Sequence, residues 1–142
     1  MPDSKEYLML KGLLEGTPYL QLLGIELTDA GEGWVKMKMP FREDFLQPHT
    51  IHGGAIYSLA DTAATQAAMT ILYPKEMATT VEQRINFLRA PRRNDLYCEG
   101  TVIHMGKTLA YTEVTVTLAD ETLIARSTAM QMRLDPTRWA SK

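Results

Sequence analysis

Apolar and polar positions follow a helical period in two stretches of the chain. In residues 4–15 the apolar residues recur at spacings of three and four, and Ser4 is a candidate N-cap. Residues 53–72 contain six alanines and run up to Pro74, which cannot continue a helix. These patterns predict two helices, with a short helical turn opened by Pro18 between them. The core-facing positions of the longer helix are predicted to be Ile56, Leu59, Ala60, Ala63, Ala64, Ala67 and Ile71.

Most of the other segments show the two-residue alternation of a half-buried strand. A hairpin is predicted over residues 24–40, where Val35, Met37 and Met39 alternate with tryptophan and lysines. Residues 41–51 have no period, so we predict an irregular loop. The later strands are predicted at residues 78–89, 95–105, 108–118 and 122–134.

The order of these elements predicts the fold class. A helix, a hairpin, a long helix and then a run of strands is typical of α+β proteins with one helix on an antiparallel sheet. An alanine-rich helix would let the sheet approach closely and curve around it. The chain has 142 residues, within the usual span of about 100–200 for one domain, so a single domain over residues 1–142 is predicted.

Composition and charge argue against several classes of partner. The formal net charge is −2, and no block of lysine and arginine indicates a nucleic-acid interface. No apolar run approaches the ~20 residues that span a bilayer, and Asp3 and Glu6 interrupt any secretory signal. The single cysteine, Cys98, suits a reducing compartment. We therefore predict a soluble cytoplasmic protein that binds neither nucleic acid nor membrane.

One face of the longer predicted helix carries the candidate chemistry. Asp61 is the single carboxylate on this face, and a charge buried there would need partners; a solvent-facing aspartate is the alternative. The helix begins at His52-Gly53-Gly54, where free N–H groups could hold an oxyanion or polarise a carbonyl. Two glycines could equally form a simple turn. Spacings of three and four place on the same face Gly54, Ser58, Asp61 and Thr65.

The combination of His52-Gly53-Gly54 with Leu59-Ala60-Asp61 resembles the hot-dog-fold acyl-CoA thioesterases related to phenylacetate degradation (PaaI-like). The resemblance extends over most of the chain, from about Thr17 to Leu134. It implies a long central helix wrapped by a curved antiparallel sheet, and homodimers that often pair into tetramers. Further matching patterns are Thr17-Pro18-Tyr19, Leu23-Gly24-Ile25, the strand end at 87–91 and the turn at 104–107.

The resemblance also implies a role for each candidate residue. The Gly53 N–H would polarise the thioester carbonyl, and His52 would shape the entrance of the helix. Asp61 would act as the nucleophile or as a general base that activates water. Thr65 and Thr80 match positions that, in some relatives, steady the water or supply a hydroxyl near the site. Because thioesters are activated acyl groups with a good leaving group, we predict no metal and no cofactor.

Two further side chains are expected near the acyl group. Many relatives carry Asn or Gln six residues before the histidine, where this chain has Leu46. Either the loop shifts by one residue so that the neighbouring Gln47 makes the contact, which is the outcome we predict, or the contact is missing. Tyr57 is expected to help set the depth of the acyl pocket.

Positively charged residues are candidates for the phosphates of coenzyme A. Arg89 lies with Arg92 and Arg93 at a predicted strand end, and Lys107 lies on the turn after Gly106. Guanidinium and ammonium groups can bind phosphate. A solvated surface patch is the alternative.

The spacing between Gly53 and Asp61 bears on the oligomeric state. Eight residues of helix correspond to about 12 Å at about 1.5 Å per residue. A carbonyl held about 3 Å from Gly53 is therefore out of reach of Asp61 in the same chain. If both residues act on one thioester, Asp61 comes from a partner subunit, and a two-fold dimer contains two equivalent sites.

We therefore predict hydrolysis of an aryl- or medium-chain acyl-CoA to the free acid and CoA. Two alternatives remain open at this point: an acyl-CoA-binding module without activity, and a hydratase or dehydratase that acts on an acyl thioester. Release of free thiol would identify the hydrolase, whereas gain or loss of a double bond without free CoA would identify a hydratase or dehydratase.

Overall fold

The computed structural model describes residues 3–137. Ser4 is the N-cap of the first helix, as predicted, and its hydroxyl accepts the Tyr7 N–H at 3.1 Å. The helices over this range are α1 (Lys5–Glu15), α2 (Pro18–Leu23) and α3 (Gly53–Leu72). Their bounds confirm the helices predicted from the apolar period.

Six strands form one antiparallel sheet in the order β1-β2-β6-β7-β8-β5, and β3 pairs with β4 in a separate hairpin. The four later strands lie where the alternation predicted them. The strands are β1 (Glu26–Gly31), β2 (Trp34–Met39), β3 (Leu46–Gln47), β4 (Thr50–Ile51), β5 (Met77–Phe87), β6 (Leu96–Met105), β7 (Leu109–Thr117) and β8 (Leu123–Leu134).

The prediction of an irregular loop over residues 41–51 was wrong. This segment forms a short 3-10 turn, Glu43–Phe45, followed by the β3–β4 hairpin. The hairpin is anchored by backbone bonds, since the Ile51 N–H donates to the Pro91 carbonyl at 2.8 Å and the His52 N–H donates to the Phe45 carbonyl at 2.8 Å. Strands of two residues are too short to show a hydrophobic period, so the sequence could not indicate them.

The helix α3 packs across the six-stranded sheet at very close range. Ala60, Ala63 and Ala67 are completely buried. On β6, a Cβ added to Gly100 would lie 2.7 Å from the Ala63 carbonyl oxygen. Small residues on both elements therefore allow the backbones to approach closely, as the alanine-rich sequence predicted.

The end of α3 differs from the predicted core. Ile71 is 39% exposed, whereas Ile56 and Leu59 are buried as expected. Ile71 lies in the last turn of α3, where it lines a cavity together with Met9 and Tyr73.

A long helix packed against a six-stranded antiparallel sheet confirms the α+β class and the hot-dog fold that the resemblance implied. The main contacts of α3 are with β6, β5, β2 and β7. Among residues 3–137, no helix combines the length and the apolar character needed to cross a bilayer.

The contact between α3 and β6 makes Gly100 a sensitive position. We expect Gly100→Ala to lower the free energy of unfolding by about 1–3 kcal/mol, because the methyl group forces α3 away from the sheet. Gly12→Ala is the control, since a Cβ there meets nothing within 4 Å and the site lies within α1. Urea denaturation measures the free energy of unfolding of both variants. An equal response of the two would show that the sheet yields to the added methyl group without cost.

Candidate active site

His52 shapes the first turn of α3. Its Nδ1 accepts the Gly54 N–H at 2.7 Å, and its carbonyl accepts the Ala55 N–H at 3.0 Å. The imidazole ring therefore accepts a hydrogen bond from one of the N–H groups that have no partner within the helix at its start. The Gly53 N–H has no acceptor among the described residues, so it is the amide left for an external oxygen.

A cavity of about 370 Å³ adjoins this helix start. Gly53 lines it together with Gln47, which β3 brings to the same wall. Leu46 packs instead against the hydrophobic core. The hairpin that the sequence did not reveal therefore makes Gln47, and not Leu46, a lining residue of the cavity that Gly53 also lines. The cavity is completed by Thr50, Ile51, Ile56, Phe87, Leu88, Arg89, Ala90 and Pro91.

The Asp61 carboxylate, two turns further along α3, is held by side chains of β5. Its Oδ1 accepts the Thr80 hydroxyl at 2.6 Å. The carboxamide of Gln83 lies against the same oxygen, and with its nitrogen facing the carboxylate it donates to Oδ1 at 2.8 Å. A carboxylate only accepts hydrogen bonds, so this is the orientation that chemistry selects. Asp61 is therefore half-buried and paired, not simply a solvent-facing charge.

A bulge in β5 makes the double contact with Asp61 possible. Thr80 and Gln83 are three residues apart, and in a regular strand they would point to opposite faces. The register with β8 shifts between Thr80 and Glu82, so Val81 is an extra residue in the strand. This change of phase turns Gln83 and Phe87 toward α3, where the Phe87 ring lies 3.2 Å from a Cβ added to Gly53.

Thr65 joins Asp61 and Thr80 in one polar cluster. Its hydroxyl lies 3.3 Å from the Thr80 hydroxyl. Both hydroxyls also contact the Oε1 of Gln131, at 3.3 Å from Thr65 and 3.1 Å from Thr80. Thr65, Thr80 and Gln131 therefore form a polar cluster beside the Asp61 carboxylate. The two threonines were expected from the resemblance, whereas Gln131 was not.

A second cavity, of about 250 Å³, opens on the Asp61 side of α3. Tyr57 lines this cavity, and its hydroxyl donates to the Gln83 carbonyl at 3.4 Å. Gly53 is absent from its lining, and Asp61 is absent from the lining of the first cavity. Gly53 and Asp61 of one chain therefore line different cavities. The second cavity is lined by Thr17, Tyr19, Leu20, Tyr57, Ser58, Asp61, Thr62, Thr65 and Gln66.

The structure separates the two predicted phosphate ligands. Arg89 lines the Gly53 cavity, and its charge contributes to the lowered pKa of Asp120, after the larger effect of the hydrogen bonds from Thr122. Lys107 lies on the turn between β6 and β7, next to Thr108, whose carbonyl accepts the Arg133 N–H. Arg89 and Lys107 therefore lie near opposite ends of β5. This strand has 11 residues and is about 33 Å long at about 3.3 Å per residue.

Other nucleophiles do not fit this site. Burial raises the pKa of the Cys98 thiol to about 12, so it stays protonated at neutral pH. The Ser58 hydroxyl donates to the Gly54 carbonyl at 3.0 Å and lies 2.8 Å from the Tyr19 hydroxyl. Neither partner is a base that could activate a serine. Asp61 lines the second cavity, and among residues 3–137 no donor contacts its Oδ2.

Comparison with known proteins agrees with this architecture. Residues 49–125, more than half of the chain, match the thioesterase superfamily. The chain belongs to the thioesterase superfamily. It is accordingly a thioester hydrolase, and the family indicated by the sequence motifs is confirmed.

Individual relatives resemble this thioesterase over most of its length. It is 29% identical over 128 residues to a Halobacterium salinarum protein assigned as an esterase, which covers 84% of this chain and 83% of that protein. It is 27% identical over 108 residues to the 1,4-dihydroxy-2-naphthoyl-CoA hydrolase of Listeria monocytogenes, which covers 75% and 88% of the two chains. The E. coli PaaI protein of the phenylacetic acid degradation operon has the same fold, with a TM-score of 0.84, 23% identity, and coverage of 92% and 94%.

Two polar residues of this thioesterase site were missed in the sequence analysis. Gln83 and Gln131 both lie in segments that read as ordinary alternating strands. A polar side chain on the buried face of a strand was the available signal for Gln131, which is completely buried. For Gln83 no such signal existed, since the bulge reverses the face on which it lies.

Proposed function

We propose that this thioesterase hydrolyses an aryl- or medium-chain acyl-CoA to the free acid and CoA. The observation that carries the proposal is the pair of unused groups on α3: the Gly53 N–H at its start, and the Asp61 Oδ2 two turns later, each beside a cavity. The name of the Listeria relative, a hydrolase of an aryl-CoA, supports an aryl group. The proposed compartment is the cytoplasm, where a buried free thiol such as Cys98 stays reduced.

The proposed chemistry follows from these two groups. The Gly53 N–H donates to the thioester oxygen and stabilises the negative charge that develops there. Asp61 Oδ2 takes a proton from water as the water oxygen attacks the carbonyl carbon, or attacks that carbon itself. The C–S bond then breaks, and CoA leaves as a thiolate that takes up a proton. In the second route, water then hydrolyses the mixed anhydride between Asp61 and the acyl group, which releases the free acid and restores the carboxylate. Gln47 is proposed to help hold the carbonyl, and Tyr57 to form a wall of the acyl pocket.

We propose that the complete site forms between two subunits. β5 ends the sheet, so one of its edges is unpaired among the described residues and could pair with a second copy. Gly53 lies level with Phe87 on β5, whereas Asp61 lies level with Thr80 and Gln83. An antiparallel two-fold pairing of β5 centred near Gln83 would therefore bring the Gly53 of one chain level with the Asp61 of the other. Pairing of such dimers into tetramers stays a prediction of the resemblance.

The same pairing would reunite the two proposed phosphate ligands. Arg89 follows the C-terminal end of β5, and Lys107 lies at the level of its N-terminal end. Antiparallel pairing places the C-terminal end of one β5 beside the N-terminal end of its partner. Arg89 of one subunit and Lys107 of the other would then lie at the same end of a shared cleft. Arg93 is less suited, because it pairs with Glu43 and lies 5.6 Å over the Phe41 ring.

Replacement of the carboxylate tests the proposed role of Asp61. Asp61→Asn keeps the shape of the side chain but removes the base, so we expect kcat for benzoyl-CoA and octanoyl-CoA to fall on the order of a hundredfold or more. Asp3→Asn, an exposed carboxylate ahead of α1, is the control. A thiol-specific dye measures CoA release. Undiminished turnover by Asp61→Asn would remove Asp61 from the mechanism, and no thiol release by the wild type with any acyl-CoA would refute hydrolysis.

Mixed dimers test whether the site is shared. Gly53→Pro removes the N–H and is compatible with the first position of a helix, whereas Gly53→Ala adds the Cβ but keeps the N–H. Subunits with Gly53→Pro and subunits with Asp61→Asn should each be inactive. Co-refolding equal amounts should restore about a quarter of wild-type activity, because half of the dimers are mixed and each has one intact site. If the mixture stays inactive while Gly53→Ala is active, the two groups do not act across subunits.

Charge reversal tests the proposed phosphate ligands. We expect Arg89→Glu and Lys107→Glu to raise KM for benzoyl-CoA about tenfold or more, with little change in kcat, since each removes a charge-assisted contact to phosphate. KM for benzoyl-pantetheine, which lacks the nucleotide, should not change. Lys11→Glu on α1 is the control. An equal rise in KM for both substrates would assign the effect to the acyl pocket instead.

A further inference from the structure

Gln131 is the most deeply buried polar side chain behind the Asp61 carboxylate. It lies on β8, directly opposite Thr80 on β5, and is 0% exposed. Its Oε1 is placed 3.1 Å from the Thr80 hydroxyl and 3.3 Å from the Thr65 hydroxyl. Its Nε2 has no hydrogen-bond partner within residues 3–137. A buried amide nitrogen with two unpaired N–H groups is costly, so this orientation of the carboxamide is disfavoured.

The two hydroxyls around Gln131 accept as readily as they donate. Turning the carboxamide would place Nε2 at the 3.1 and 3.3 Å positions now held by Oε1. Both N–H groups would then have an acceptor, and the one group left unpaired would be a carbonyl oxygen, which proteins tolerate better than an unpaired N–H. The orientation with Nε2 toward Thr80 and Thr65 is therefore the favoured one.

This orientation fixes where the Thr80 proton points. A threonine hydroxyl has one proton, and the Thr80 oxygen lies 2.6 Å from Asp61 Oδ1 and 3.1 Å from the Gln131 amide. With Gln131 as an acceptor, both oxygens would compete for that proton. With Gln131 as a donor, the proton has Asp61 Oδ1 as its partner, and the chain of hydrogen bonds runs in one direction from Gln131 through Thr80 to the carboxylate.

We propose that Gln131 is a positioning residue, which donates to Thr80 and thereby holds the Thr80 hydroxyl on Asp61 Oδ1. The inference rests on the proposed function, in which the carboxylate does the chemistry. Because Oδ1 is held by Thr80 and Gln83, Oδ2 faces the ligand in a fixed orientation. Gln131 touches no substrate atom, since it is completely buried, and it reaches the carboxylate through Thr80, the member of the cluster that is bonded to Asp61.

A double-mutant cycle tests whether Gln131 acts through Thr80. We expect Gln131→Met, which is similar in size but cannot donate, to lower kcat for acyl-CoA about tenfold with KM unchanged. Thr80→Val should also lower kcat, and adding Gln131→Met to it should have no further effect. In a Thr80→Ser background, which keeps the hydroxyl, the effect of Gln131→Met should return. Additive losses in the Thr80→Val background, or full activity of Gln131→Met, would overturn the proposal.

An NMR measurement on the unmodified residue decides the matter even if Gln131→Met does not fold. With Nε2 toward Thr80, one side-chain N–H proton of Gln131 should move upfield in Thr80→Val, because it loses its acceptor. Unchanged side-chain N–H resonances would mean that Oε1 faces Thr80, and the proposal would fail. This readout needs no turnover, so it is independent of the proposed function, which stands or falls on thiol release by the wild type and its loss in Asp61→Asn.

Discussion

The site depends on how closely the helix α3 lies against the sheet. Ala63 and Gly100 leave no room for even one more methyl group between the two backbones. At this separation a short side chain such as Thr80 on β5 can contact Asp61 on α3 at 2.6 Å. A larger residue at the helix–sheet contact would lift the helix, and a threonine hydroxyl would no longer reach the carboxylate. The polar contacts of Asp61 therefore depend on the packing of small residues between α3 and the sheet.

The local pattern of the chain predicted most of the fold. Each helix and each longer strand shows its apolar period over enough residues to be recognised. Gly53 and Asp61 could therefore be placed on one helix, and the distance between them could be calculated. The β3–β4 hairpin could not be predicted, because its strands are shorter than one full alternation. It supplies Gln47, so this part of the site became visible only in three dimensions.

The partners of Asp61 could not be predicted either, for a different reason. Thr80 was expected from the family resemblance, but Gln83 and Gln131 reach the cluster through the pairing of β5 with β8. Which residues face each other across two strands depends on their register, and a bulge changes that register without a mark in the sequence. Side chains that are far apart along the chain are thus the part of a site that periodicity describes least well.

The extra residue in β5 also affects the surroundings of both Asp61 and Gly53. From Gln83 to Phe87, every side chain that faces α3 does so because the strand gains one residue at Val81. Gln83 serves Asp61, and Phe87 packs against Gly53. Deletion or insertion of one residue here would turn both side chains to the opposite face of the sheet, and both contacts would be lost. A change of length in the exposed Asp120-Glu121 turn would not change which face the side chains of its neighbouring strands occupy. As the family diverges, insertions and deletions should therefore accumulate in that turn and be removed by selection from the bulge.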